Sequence, residues 1–171
     1  VVATSEMVEK VHTAASAKLD PDFLLIARTD ARSVEGLGEA IERGNAYREA
    51  GADMIFPEGL ESEDEFKAFA DGCPGLLMAN MTEFGKTPFY TATEFEQMGY
   101  KMVIWPVSSL RVANKAQAEL YAAIKRDGGT HNQVERMQTR QELYDTIGLH
   151  AFEELDASIV KTIVPEGIPQ T

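Results

Sequence analysis

Cysteine is nearly missing from this chain: Cys73 is alone among 171 residues. That excludes an intrachain disulfide and any zinc site built on several thiolates. A reducing cytoplasmic setting is the expectation. Positive charge is also scarce, with 16 Lys+Arg against 28 Asp+Glu and a formal net charge of −12. Phosphate backbones are bound by basic surfaces, so no nucleic-acid partner is expected. No apolar run approaches the roughly 20 residues of a membrane span, so no membrane partner is expected. No signal peptide is read at the start, which opens on Val1. His12, His131 and His150 are widely spaced, which argues against an imidazole metal site.

What the chain does have is four short apolar runs that each end in polar residues. Phe23 to Ala27 leads into Arg28-Thr29-Asp30, and Met54 to Pro57 leads into Glu58. Leu76 to Ala79 leads into Asn80, and Met102 to Pro106 leads toward Ser108, Ser109 and Arg111. Strands are expected over 23–30, 53–57, 76–80 and 101–106. Helical periodicity fills the intervals, over 4–18, 34–50 and 62–72, with a short helix ending at Gly99. Thr4 and Ser5 are candidate caps of the first helix. Ser62 to Glu65, Thr91 to Glu94 and Thr139 to Glu142 fit capping boxes. Helices are further expected over 109–127, 139–147 and 150–160, with a loose tail from Val164 to Thr171.

Alternating strands and helices with strands apolar on both faces is the pattern of a β/α barrel, where chemistry sits at the strand carboxyl ends. Those ends carry a guanidinium, a carboxylate, an amide and a second guanidinium. The set suits a small polyanion, most simply a di- or tricarboxylate. A complete barrel takes about 250 residues, and four βα units cannot close one. The expected architecture is therefore an α/β fold forming the second half of a (β/α)8 barrel, strands five to eight, with extra C-terminal helices. Residues 1–128 are assigned to the half barrel and 129–171 to a helical extension.

Ala27 to Asp30, Phe56-Pro57-Glu58, the block Ala79 to Gly85 and Met137-Gln138-Thr139-Arg140 resemble the isocitrate lyase and phosphoenolpyruvate mutase superfamily. The resemblance runs in order through nearly the whole chain and is strongest toward the branch that cleaves 2-methylisocitrate. It implies a Mg2+-dependent carbon–carbon lyase releasing pyruvate and succinate in propionate catabolism. By motif, Arg28 would bind a substrate carboxylate, and Glu58 would lie beside substrate and metal, through water. Asn80, Met81 and Thr82 would contact substrate, and Arg111 and Arg140 would complete an anion clamp. The resemblance places the acid–base cysteine loop and the direct metal-binding aspartates ahead of Val1, so this stretch alone is expected to be inactive. It also implies a homo-oligomer, a tetramer with swapped C-terminal helices, to which the apolar stripe Leu143, Ile147, Phe152, Leu155 and Ile159 could contribute. Superfamily members acting on oxaloacetate, dimethylmalate or a phosphonate are the alternatives, as is a non-catalytic fragment.

Plainer roles stand beside these. Arg28 could simply pair with Asp30, Glu58 could cap a helix, and Asn80 could serve a turn. Arg111 and Arg140 lie in first helical turns, where the dipole disfavours a cation. Each therefore needs an anionic neighbour, either the substrate or Glu142. Glu83 is either a loop organiser or a catalyst. Cys73 reads as a buried thiol at the wrong end of its βα unit. Glu61 to Glu65 read as a solvated helix start.

Overall fold

The computed structural model describes residues 1–159, so the expectation of a loose tail at 164–171 lies outside the described residues. Strands β1 (Ile26–Thr29), β2 (Met54–Pro57), β3 (Leu76–Asn80) and β4 (Met102–Ile104) form one parallel sheet in the order β1-β2-β3-β4. Ile26 pairs with Met54, Met54 with Leu76, and Met78 with Met102. Helices α1 (Thr4–Ser16), α2 (Arg32–Glu35), α3 (Leu37–Glu49), α4 (Glu63–Gly72) and α5 (Ala92–Gln97) lie before and between the strands. Consecutive strand order with right-handed crossovers brings successive helices to the same face of the sheet.

Side chains alternate across a strand, and the two faces of this sheet differ. One carries Ala27, Ile55, Leu77 and Ala79, all buried with Val11 of α1, Ala40 and Tyr47 of α3, Phe66 and Phe69 of α4, and Phe95 of α5. Phe66, Tyr90, Phe95 and Tyr100 meet edge to face, with ring centroids 5.1 to 6.0 Å apart. Such pairs add about 0.5–1.5 kcal/mol each beyond burial. Close packing reaches the backbone at Gly44 of α3, where a Cβ would stand 3.0 Å from Cys73 Sγ and 3.1 Å from Phe69 Cζ. The opposite face holds a smaller cluster of Met54, Phe56 and Met78 with Ile26, Met102 and Ile104.

Several boundaries differ from expectation. Phe23 and Leu24 are exposed and precede β1, because their apolar character meets no partner there. Ala3 takes the N-cap position of α1 without a side-chain bond, so neither Thr4 nor Ser5 caps it. The helix expected over 34–50 is broken at Gly36, whose φ of +95° is closed to most L-residues, leaving the short α2 ahead of α3. Ser62 accepts from Glu65 N, but the Glu65 carboxylate turns away to Glu61 N and Arg32, so only half the capping box forms. Both halves form at Thr91–Glu94.

Two compact units divide at Ala113/Asn114, inside helix α6 (Ser108–Asp127). The later part of α6 is tied to the segment that follows it. Arg136 pairs with Glu119 at 2.6 Å, and Ala116, Gln117 and Leu120 line a small pocket with Gln133, Arg136 and Met137. The second unit continues with a 3-10 turn at His131–Arg136, α7 (Arg140–Ile147) and α8 (Leu149–Ile159). Thr139 and Glu142 complete their capping box, and Gly148 ends α7 in the left-handed region at φ +66°. Among the described residues no helix is long and apolar enough to cross a membrane.

Candidate active site

Counting by twos from the smaller apolar cluster leads to the polar strand ends. Ile26 is followed on its face by Arg28, Phe56 by Glu58, and Met78 by Asn80. Parallel register then sets them side by side, with Glu58 N donating to Thr29 O at 2.9 Å. Glu58 Oε2 stands 3.7 Å from Arg28 Nη1 and accepts from Asn80 Nδ2 at 3.3 Å. Asn80 Oδ1 accepts from Thr82 Oγ1 at 2.7 Å. The Arg28 fork is engaged by Asp30 at 2.9 and 2.7 Å, and its guanidinium lies 5.3 Å from the Phe56 ring centroid. Asp30, Arg28, Glu58, Asn80 and Thr82 thus form one continuous polar chain across three strand ends.

The bidentate bond to Asp30 raises the Arg28 pKa above its ordinary value, and the guanidinium in turn holds the Asp30 carboxyl below the usual range. Half of the Arg28 side chain remains exposed, which leaves it open to an incoming anion. The plainer role of Arg28, pairing with Asp30, is therefore realised, and it coexists with a position suited to ligand binding.

Arg111, in the first turn of α6, finds its anionic neighbour in Glu83 and not in Glu142. Arg111 Nη1 donates to Glu83 Oε2 at 2.9 Å and to Glu83 O at 3.2 Å, and the guanidinium lies 5.4 Å from the Phe84 ring centroid. Ser108 Oγ donates to the other carboxylate oxygen of Glu83. These bonds, the hydroxyl first, hold the Glu83 carboxyl below its ordinary pKa. Sequence spacing hides this link, because its partners lie 25 and 28 residues apart.

Residues 1–125 match the description of phosphoenolpyruvate phosphomutase proteins. The chain belongs to the phosphoenolpyruvate phosphomutase family. It is 51% identical over 166 residues to a 2-methylisocitrate lyase of Bacillus subtilis (strain 168), covering 97% of this chain and 54% of that protein. A crystal structure of 2,3-dimethylmalate lyase superposes with a TM-score of 0.85 at 32% identity, covering 99% of this chain and 57% of that one. A crystal structure of phosphonopyruvate hydrolase in complex with oxalate and Mg2+ gives a TM-score of 0.78 at 29% identity, covering 94% and 58%. The chain spans about half the length of the relatives it matches.

Two further residues that the family resemblance singles out are Met81, of the first unit, and Arg140, of the second. Met81 alternates to the packed face, where its side chain is buried and its sulfur accepts from Tyr90 N. Its backbone N–H donates to Ile104 O at 2.8 Å. Arg140 opens α7 in the second unit and is exposed. Cys73 is buried at the amino end of β3, opposite the site, and burial pushes its thiol pKa up. It is unsuited to proton transfer there. Among the described residues, no three His, Cys, Asp or Glu side chains group as metal ligands. Near Glu58 the partners are an arginine and an amide donor, which do not fit direct coordination of a cation.

Proposed function

We propose that this chain supplies the substrate-binding half of a carbon–carbon lyase that cleaves 2-methylisocitrate to pyruvate and succinate. The observation that carries the reading is the Arg28–Glu58–Asn80–Thr82 chain at three neighbouring strand ends on one face of the sheet. The four strands are half the staves of a (β/α)8 barrel. Their sequential parallel order, and the apolar cluster of Met54, Phe56 and Met78 on the face away from the helices, support that view.

In this reading Arg28 and Arg111 hold carboxylates of the tricarboxylate, and Asn80 and Thr82 hydrogen-bond to it. Arg140 is proposed as a further carboxylate-binding group. The substrate hydroxyl loses its proton, the C–C bond breaks, and the former hydroxyl carbon leaves as the pyruvate carbonyl. The bonding pair passes to the succinyl fragment as an aci-carboxylate, which then takes up a proton. Donors fixed before reaction stabilise that developing charge without reorganising. Mg2+ is proposed as the cofactor; it would polarise the pyruvate end of the substrate, and Glu58 would hold it through water. Leu143, Ile147, Phe152, Leu155 and Ile159, all exposed, are proposed to pack between copies in a homo-oligomer.

The test is turnover by the full-length polypeptide that carries this chain, compared by kcat/KM and read as pyruvate release from 2-methylisocitrate, 2,3-dimethylmalate and phosphonopyruvate and as oxalate release from oxaloacetate. Preference for 2-methylisocitrate by tenfold or more is expected. Preference for another acid would keep the site and change the substrate. No turnover of any would overturn the reading.

A further inference from the structure

We infer that Glu83 and Ser108 form a clasp that positions Arg111, and that Glu83 acts through this arginine and not on substrate. The inference rests on the reading of Arg111 as a carboxylate-binding group. Three independent features meet here. First, the described residues contain two non-glycine residues at positive φ, Phe84 at 63° and Val107 at 69°. Each is the chain neighbour of a clasp residue, Phe84 following Glu83 and Val107 preceding Ser108. For β-branched Val107 this conformation is strained, and such strain persists only where surrounding bonds hold it.

Second, the bonding pattern is directional. Ser108 Oγ takes one carboxylate oxygen of Glu83 and Arg111 Nη1 takes the other, while Arg111 N donates to Val107 O at 2.8 Å. Among the described residues only Nη1 of the guanidinium is engaged, and the side chain is 39% exposed. Nη2 and Nε are left to meet an anion. Third, Arg111 sits in the first turn of α6, where the helix dipole opposes a cation and favours a carboxylate. Glu83 bonds the hydroxyl of Ser108, the first residue of α6, and holds the arginine beside it. The Phe84 ring under the guanidinium restricts it further.

Tests use the full-length polypeptide. Glu83→Ala is expected to raise KM for 2-methylisocitrate about 10- to 30-fold with kcat within about threefold, as for a group fixed before binding. Glu83→Gln, which keeps an acceptor for Nη1, is expected to retain most of the affinity. In a double-mutant cycle, Glu83→Ala combined with Arg111→Ala should be no worse than Arg111→Ala alone. A fold defect or a direct substrate contact would instead multiply the two losses, and that result would overturn the positioning role. Nitrogen-15 NMR of the Arg111 guanidinium gives a readout free of turnover: resolved, slowly exchanging Nη1 protons in the parent, lost in Glu83→Ala. If the parent turns over none of the acids, the functional reading falls, and this signal alone decides the clasp. Its absence from the parent would overturn the clasp whatever the kinetics.

Discussion

The two faces of the sheet are made from the same strands and do opposite work. Toward the helices, Ala27, Ile55, Leu77 and Ala79 are sealed beneath aromatic side chains, and Thr29 is the one buried polar residue of the strands. On the other face the apolar layer is thinner, and two residues past Ile26, Phe56 and Met78 it gives way to Arg28, Glu58 and Asn80. The first face carries stability through burial. The second keeps its charges partly exposed and bonded to one another. Alternation along one strand is enough to separate the two tasks.

The sharpest test of that division is on the packed face. Phe69→Ala should cost about 3–5 kcal/mol of stability, the range for removing a fully buried ring, since Phe69 is wholly inaccessible. Chemical denaturation would read it, with KM unchanged in the folded fraction. The counterpart on the other face is Arg28→Lys. It keeps the charge and loses the planar fork. The expected loss is roughly 2–4 kcal/mol in kcat/KM, with a denaturation midpoint close to the parent. If either variant showed the other's profile, the division of labour would fail.

A smaller effect comes from the helix that anchors the aromatic cluster. Thr91→Ala removes the capping box of α5 and should destabilise by about 1 kcal/mol. The smallest effect depends on pH. Lys18, with Leu25 N, holds the Asp53 carboxyl below its ordinary pKa. A depressed folded-state pKa contributes stability that is present above the unfolded value and lost as pH falls through the folded one. The parent should therefore exceed Asp53→Asn in stability at pH 7, and the difference should shrink as pH drops below about 4, near the unfolded carboxyl pKa. Parallel urea titrations at pH 7 and pH 3 would show it; a constant gap would remove the ion pair from the account.

The elements most legible from sequence are those whose signals are local. Leu76–Asn80 forms the strand expected, Thr91 and Thr139 cap as their Glu partners predict, and the polar strand ends of Arg28, Glu58 and Asn80 gather on one face. The signals that mislead are also local. Phe23 and Leu24 extend an apolar run that no neighbour covers, and periodicity continues across Gly36 although the backbone does not. Met81 sits in the most family-like block, yet parity along the chain turns it inward. The Glu83–Ser108–Arg111 clasp has no local signature, because loop closure and not spacing brings its members together.

Strand order carries a consequence for how the molecule is made. Each strand pairs with the next one in the chain, so a ribosome delivers every stave directly after its neighbour. Each new βα unit finds a template already waiting, and the closure entropy at each step is that of a single short excursion. Assembly of this kind grows like a zipper from the amino end. A pause in translation after any unit leaves an open sheet with its two outer edges and no displaced strand.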